Sequence, residues 1–467
     1  MSRESGTTGG RLHLELDRSK GALGRQLESE IRLAVTSGRL APGTQLPSSR
    51  TLAGDLGVSR RLVVDAYAQL SAEGWIVAQQ GAGTVVARGG SAVPQLPDAP
   101  ATRQRLPYDF FPGAPDLSSF PRTEWLRALR GVLHDAPDAA LHYPDPAGAP
   151  ELRAALAAHL ARSRGVIGDA GRVVVVSGAR QGLTLLGRAL VRSGVRTLAV
   201  ELPSLPLHAD SLRASGLDVV GVPVDDEGLQ VEALARSGAE AVVVTPAHQF
   251  PMGVALSPDR RAALLQWATQ RAGRLVIEDD YDAEYRYDRR PVGALQALDP
   301  ERVVYLGSAS KTLAPGLRLG WIVAAPALRD ALAREKELDD GGSPVLEQLA
   351  LAQLLESAAY DRHIRLARRE YRRRRDALAA ALNAECSDAR LEGLAAGLHA
   401  IARFDASFPI GPLVQAAAAR GVAVYPLGPL TGTANALIMG YAGLSEAAIA
   451  EGVRRLAEAL ASLKLQA

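Results

Sequence analysis

The chain has a single cysteine, Cys386, among 467 residues, so an intrachain disulfide framework is excluded. It holds no run of about 18 apolar residues and no N-terminal charged segment followed by an apolar one. Neither a membrane-spanning helix nor a secretory signal is expected, and the expected location is the cytoplasm. Aromatic residues make up only 4%, against 47% hydrophobic residues rich in Ala, Leu and Val. That is the composition of a soluble α-rich or α/β protein rather than a disordered one. Lysine is the other scarcity: four lysines stand against 49 arginines. One of them, Lys311, sits between small hydroxyl residues and a Gly/Pro turn in "VVYLGSASKTLAPGLRLGW". Arginine stays protonated in proteins, whereas a lysine can lose its proton and attack a carbonyl, so this position points to chemistry rather than to mere charge.

The length exceeds that at which a single core stops growing and suggests two to four domains. No internal repeat is present. Net charge is +2, and the first 88 residues hold 11 Lys/Arg against 8 Asp/Glu, an excess that permits a nucleic-acid face there without demanding one.

Leu23, Leu27, Ile31 and Val35 recur every four residues and predict a helix from Ser19 to Gly38. After the turn "RLAPGTQLP", a short helix from Ser48 or Ser49 to Leu56 stops at Gly57, and Ser59 caps a third. In that third helix Leu62, Val63, Ala66, Tyr67 and Leu70 form the buried side, leaving Arg60, Arg61, Val64, Asp65 and Gln69 outward. "GWIVAQQGAGTVVA" reads as a β-hairpin with a Gly-rich tip. Three helices and a hairpin in under 90 residues outline a winged helix-turn-helix. The stretch "GRLAPGTQLPSSRTLAGDLGVSRRLVVDAYAQLSAEGWI" resembles the N-terminal domain of the GntR family of transcriptional regulators, from about Leu23 to Val86. That resemblance implies a double-stranded DNA operator as partner. Arg50 and the start of the third helix, Ser59, Arg60 and Arg61, would meet phosphates and major-groove edges, and the wing at Gly81 to Thr84, including Gly83 and Thr84, the adjacent groove. Family members often carry a basic residue where Gln79 or Gln80 stands.

Residues 88 to 107 are Pro/Gly/Ala-rich without apolar period and read as a linker. Beyond it, "RVVVVSG", "TLAVELP", "AVVVTP", "RLVIEDDY", "RVVYLGS" and "RLGWIVAA" are buried-strand runs alternating with helical segments, the pattern of an α/β domain with a largely parallel sheet. From about Pro326 the chain is mostly helical with two strand-like runs, "GLHAIARF" and "ALIMGYA", which predicts a smaller α+β subdomain.

Four motifs sit at strand ends, where open α/β sheets bind ligands. "VVVVSGARQGL" opens a helix at Ser177, Gly178, Ala179 and Arg180, aiming backbone N–H groups at an anion. "VVVTPAHQFPMG" delivers His248 into a Pro/Gly-rich loop. "LVIEDDYDAEYRYD" brings Asp279 out of a buried strand, where its charge needs a cationic partner. The fourth surrounds Lys311 with Ser308, Ser310 and Arg318. Each is modest alone. Together they match the needs of pyridoxal 5′-phosphate: a lysine for the aldehyde, a carboxylate for the ring nitrogen, and an anion cradle for the phosphate.

From about Tyr108 onward the chain resembles fold-type I, class I/II aminotransferases, and the joint arrangement resembles the MocR subfamily of GntR regulators. "YPDPAGAPELRAALAAHLARSRGV", "TPAHQFPMG", "IEDDYDAEYRYD" and "SASKTLAPGLRLGW" carry the likeness. It implies a winged helix-turn-helix over 11–88, a linker over 89–107, a large cofactor-binding domain over 108–325 and a small C-terminal subdomain over 326–467. It also implies Lys311 as Schiff-base lysine, Asp279 as partner of the pyridine nitrogen, and Tyr281 at the ring hydroxyl. His248, where aminotransferases usually have Asn, would lie near the same hydroxyl. Ser177, Gly178, Ala179, Arg180, Ser308, Ser310 and Arg318 would form the phosphate cup. A homodimer, with the winged helix of one chain crossing to the large domain of the other, follows from the same resemblance.

Two departures bear on function. Leu205 stands in "VELPSLP" where an aromatic commonly contacts the cofactor. Residues 431 to 441, where aminotransferases carry an arginine that grips the substrate carboxylate, hold no Arg or Lys. The expectation is a regulator that binds pyridoxal phosphate as its effector, with transaminase activity absent or weak, controlling vitamin B6 synthesis. The alternatives are a regulator sensing an amino compound by external aldimine formation, with Arg180, Arg318 or His399 in place of the missing arginine, and a pyridoxal-phosphate-dependent aminotransferase.

Overall fold

The computed structural model describes residue 14 and residues 16–79, 83–87, 106–287, 292–405, 410–431 and 435–464. The chain divides into two units, Met1–Arg103 and Gln104–Ala467. Residues 89–105 of the expected linker and the wing tip at 80–82 lie outside the described residues.

In the first unit, helices α1 (Leu23–Thr36), α2 (Ser49–Leu56) and α3 (Arg60–Ala72) precede an antiparallel hairpin of β1 (Ile76–Gln79) and β2 (Gly83–Val86). The α1 stripe packs as its spacing predicts, with Leu27, Ile31 and Val35 buried against Leu52, Val63, Ala66, Leu70 and Ile76. Full burial of each large apolar side chain contributes about 1.5–3 kcal/mol. Leu62 is half-buried rather than buried, because Val63 takes the inward direction at that turn. The α2–α3 turn is set by Gly57 in the left-handed region (φ 62°), and a Cβ there would lie 2.7 Å from Arg18 Nη2. Arg18 in turn donates to the carbonyls of Leu56 (3.3 Å) and Gly57 (2.8 Å).

The second unit begins with β3 (Tyr108–Asp109), α4 (Arg122–Asp135) and α5 (Pro150–Arg164), followed by β4 (Val173–Val176), α6 (Ala179–Arg192) and β5 (Thr197–Leu202). Then come β6 (Asp218–Asp225), β7 (Gly228–Leu229), β8 (Ala241–Val244), β9 (Leu275–Asp279), β10 (Val303–Ser308) and β11 (Gly320–Val323). The sheet order is β4-β11-β10-β9-β8-β5-β6-β7. β10, β9, β8, β5 and β6 run parallel, while β11 is antiparallel to both neighbours, so the carboxyl ends of β4, β10, β9, β8 and β5 share one edge. The six runs read from sequence are strands. β6 and β7 escaped because "DVVGVPVD" mixes exposed and buried positions at the sheet's rim.

The C-terminal part carries β12 (Arg390–Glu392), β13 (His399–Arg403), β14 (Val422–Ala423), β15 (Tyr425–Pro426) and β16 (Ala436–Gly440). They form a four-stranded antiparallel sheet, β12-β13-β16-β15, while β14 pairs in parallel with β3. The residues just after the linker thus pair with the C-terminal segment rather than with the large sheet. That pairing leads Phe110 to Gly113 across the end of β16: Gly440 N donates to Phe110 O at 2.9 Å, and a Cβ on Gly440 would lie 2.0 Å from Phe111 O. No side chain other than hydrogen fits there. Among the described residues, no helix is long and apolar enough to cross a membrane.

Candidate functional site

The shared sheet edge collects the motifs. β4 runs out into Ser177 and Gly178, and α6 starts with no side-chain cap, leaving its first backbone N–H groups, at Ala179 and Arg180, open to an anion. Gly178 has φ 85°, and a Cβ there would meet Arg318 Nη2 at 2.9 Å. Arg318, itself left-handed at φ 52°, donates from Nη2 to Ser177 O. Ladder pairing of Gly320 with Val176 and with Ser308 puts the β10–β11 loop beside the start of α6. Ser308 is buried at the end of β10, Ser310 is half-buried in the loop, and Arg180 is exposed. Ser343, buried and not singled out from sequence, places its hydroxyl 3.5 Å from that of Ser177.

Asp279 ends β9, in the middle of the edge. It is 3% exposed, and its Oδ1 has no hydrogen-bond partner among the described residues. Burial first, then the charges of Asp280, Asp282 and Glu201, raise its carboxyl from the ordinary 3.8 to about 7. Asp280 points the opposite way, as alternation along a strand requires, and is matched there by Arg164 (2.7 Å) and by the Tyr305 hydroxyl (2.8 Å). One of the two adjacent carboxylates is fully paired, and the other is not.

Lys311 donates from Nζ to Gly113 O at 2.6 Å, a contact made possible by the passage of residues 110–113 over Gly440. Burial lowers its ammonium pKa, opposed by the charges of Asp282 and Asp279. A half-buried lysine with its proton loosened is the state a nucleophilic amine requires.

Tyr281 and His248 stand together, hydroxyl to Nδ1 at 3.2 Å. Nδ1 of His248 also lies 2.9 Å from Asp282 Oδ2, and this pair is admitted by Gly397, where a Cβ would fall 2.3 Å from His248 Cε1. Sequence reading missed Asp282, although it stood in the quoted acidic run, and also His208 and Gly113. His208 Nε2 sits 3.6 Å from Asp279 Oδ2. Burial, then the Lys311 and Arg180 charges, push His208 down to about 4, so it is neutral. Its signal was the one titratable residue in the run "LPSLPLH", three positions after the exposed Leu205. His399, next to His248 with ring centroids 5.3 Å apart, is pushed down to about 3, chiefly by burial, then by His248.

In the first unit Arg50, Arg60 and Arg61 are exposed, and Arg61 has only a loose 3.9 Å pairing with Asp65. The Ser59 hydroxyl accepts from Leu62 N at 3.2 Å as helix cap. Gly83 is exposed at the start of β2, and Thr84 O accepts from Leu46 N at 2.8 Å, tying the wing to the chain before α2.

Comparison with known proteins agrees with both halves. The family "Aminotransferase class I and II" matches residues 113–456, and "Bacterial regulatory proteins, gntR family" matches residues 23–86. The chain is 33% identical to the probable rhizopine catabolism regulatory protein MocR of Rhizobium meliloti, over 94% of each chain. It is 34% identical to the pyridoxine biosynthesis transcriptional regulator PdxR of Corynebacterium glutamicum, over 90% of this chain and 92% of that one. Among solved structures it is similar to the α-aminoadipate aminotransferase LysN of Thermus thermophilus, complexed with N-(5′-phosphopyridoxyl)-L-leucine. That match has a TM-score of 0.69 and 29% identity, covering 77% of this chain and 93% of the other.

Proposed function

Since the chain belongs to the MocR-type GntR transcriptional regulators, with a GntR helix-turn-helix joined to a class I and II aminotransferase domain, we propose that this second domain binds pyridoxal 5′-phosphate and reports its presence to DNA. The observation that carries the reading is Asp279: a buried carboxylate oxygen without a hydrogen-bond partner among the described residues, its carboxyl raised to about 7 against the opposing charge of Lys311. A protonated ring nitrogen is the group such an oxygen lacks. The uncapped start of α6, and a glycine at 178 where a Cβ would collide with Arg318, fit a phosphate in the same way.

On this reading Lys311 holds the cofactor covalently and Asp279 holds its ring nitrogen. Tyr281 and His248 face its hydroxyl, with Asp282 orienting His248. Ser177, Gly178, Ala179, Arg180, Ser308, Ser310 and Arg318 take the phosphate. When bound, pyridoxal phosphate supplies an aldehyde that condenses with a lysine amine. The loosened proton of Lys311 has Gly113 O as its local acceptor, and His208, neutral beside Asp279, adds no competing positive charge.

On this reading the domain is a sensor rather than a catalyst, because β16 itself carries no arginine to grip a substrate carboxylate. The described residues 435–441 carry no cation, and β16 is buried throughout. His399, held neutral, is no substitute for an arginine, and Arg180 and Arg318 are assigned to the phosphate cup. The effector is then pyridoxal phosphate itself, and the relative PdxR supports vitamin B6 synthesis as the regulated process. The protein acts in the cytoplasm as a homodimer with exchanged winged helices, for which exposed Leu141, Tyr143, Leu205 and Leu207 offer apolar surface. The test is a spectral titration of the cofactor-loaded protein with a panel of amino acids, together with turnover assays. An unshifted cofactor band and no turnover are expected. Sustained turnover of any amino donor would sink the sensor reading.

A further inference from the structure

A cavity of about 440 Å³, lined by none of the residues assigned to the cofactor, lies at the loop that follows β8. Its wall includes Gly253 and Ala255 of that loop, Ser257 at the start of the helix Pro258–Thr269, Gly393, and two arginines, Arg261 and Arg286. Both guanidinium-bearing residues are buried, at 9% and 5% exposure. Among the described residues Arg261 donates only to neutral acceptors, Leu256 O at 3.4 Å and Gly293 O at 3.2 Å, while Glu278 and Asp280 act on it by charge without a direct contact. The buried carboxylates nearest in charge are already taken. Asp280 is bound by Arg164 and Tyr305, and Glu278 accepts from the backbone N–H groups of Leu295 (2.8 Å) and Gln296 (2.9 Å). A buried guanidinium is normally compensated by an anion. Here the open side of Arg261 is the cavity. Among the described residues Asp226 is the one acidic residue on the wall, and it is exposed at the rim.

We propose that this cavity is a second, non-cofactor site for a small oxyanion, a phosphate or a carboxylate, held by Arg261 and Arg286 beside the N-terminus of the helix Pro258–Thr269. The volume suits a small metabolite rather than a chain segment. Its ligand touches the loop whose other side carries His248, since a Cβ on Gly253 would lie 3.5 Å from His248 Nε2.

The experiment is titration calorimetry of the full chain, at fixed ionic strength, with inorganic phosphate in one arm and acetate in the other, each with and without saturating pyridoxal phosphate. With the cofactor present, one phosphate or acetate per chain is expected, and the stronger arm identifies the ligand class. Arg261→Met should weaken that binding at least tenfold, the loss of one charge-assisted hydrogen bond. Ala255→Trp should abolish it by filling the cavity with both guanidinium groups intact, and circular dichroism reports whether each variant folds. Asp226→Asn should tighten it by up to about fivefold, the range of an exposed charge interaction. Absence of binding at millimolar phosphate and acetate, or binding indifferent to Ala255→Trp and Asp226→Asn, overturns the proposal. Without cofactor, an event lost in Arg318→Met but kept in Arg261→Met belongs to the phosphate cup, so failure of the cofactor reading remains separable from failure of this one.

Discussion

Replacing Asp279 by asparagine separates what the site costs the fold from what it binds. In the cofactor-free protein the carboxyl stands at about 7 against an ordinary 3.8. Because the folded-state value is raised, the penalty is absent below about pH 4, grows through the window from 3.8 to about 7, and is complete above it. The full rise amounts to about 4 kcal/mol, about 1.5 of it already present at pH 5. Asparagine keeps the shape and removes the titration. Urea unfolding of the cofactor-free proteins should therefore show Asp279→Asn gaining stability over wild type, with a gain about 2.5 kcal/mol larger at pH 8 than at pH 5. Glu278, also raised to about 7 mainly by burial, titrates in both proteins, whereas the Glu201 charge that helps raise Asp279 is part of the difference. The same variant should bind pyridoxal phosphate ten- to a hundredfold more weakly, because a neutral amide replaces a charge-assisted contact worth about 1.5–3 kcal/mol. Equal pH dependence in the two proteins, or undiminished cofactor affinity, refutes the reasoning.

Lys311→Ala should leave the fold intact and lose covalent attachment. Borohydride treatment should fix one cofactor per chain to wild type and none to the variant, by intact mass. Gly178→Ala puts a Cβ at 2.9 Å from Arg318 Nη2 in a left-handed backbone, so cofactor affinity should fall at least tenfold while Lys311 remains reducible onto added excess cofactor. Arg61→Ala removes an exposed side chain with only a loose ion pair. Thermal stability should be unchanged, and operator affinity should fall with the salt slope reduced by about one.

The sequence announced those parts whose physics is local. The helix start at Ser48 or Ser49, the cap at Ser59, the left-handed stop at Gly57 and the α1 stripe are written in neighbouring residues, and all are seen. Buried strands of the large sheet are continuous apolar runs and equally legible. What stayed hidden depends on residues distant in sequence. Nothing in "DLSSF" or "YDFFPGAP" says that Tyr108 pairs with Val422, or that Gly113 O will meet Lys311, because that contact is made through the empty Cβ position of Gly440. His208 was obscured for the same reason, since its neighbour Asp279 is 71 positions away by number. Asp279 and Asp280 look alike in sequence. Only alternation across β9 gives one to Arg164 and leaves the Oδ1 of the other without a hydrogen bond among the described residues.

The central claim is that cofactor capture at Lys311 changes what the winged helix does at DNA. It is tested by operator binding and footprinting of the full chain, wild type and Lys311→Ala, each with and without saturating pyridoxal phosphate at one fixed salt concentration. The account expects cofactor to change the affinity or the footprint of the wild type, and to leave the variant as the cofactor-free protein. Identical affinity and footprint for the wild type in both states would contradict it.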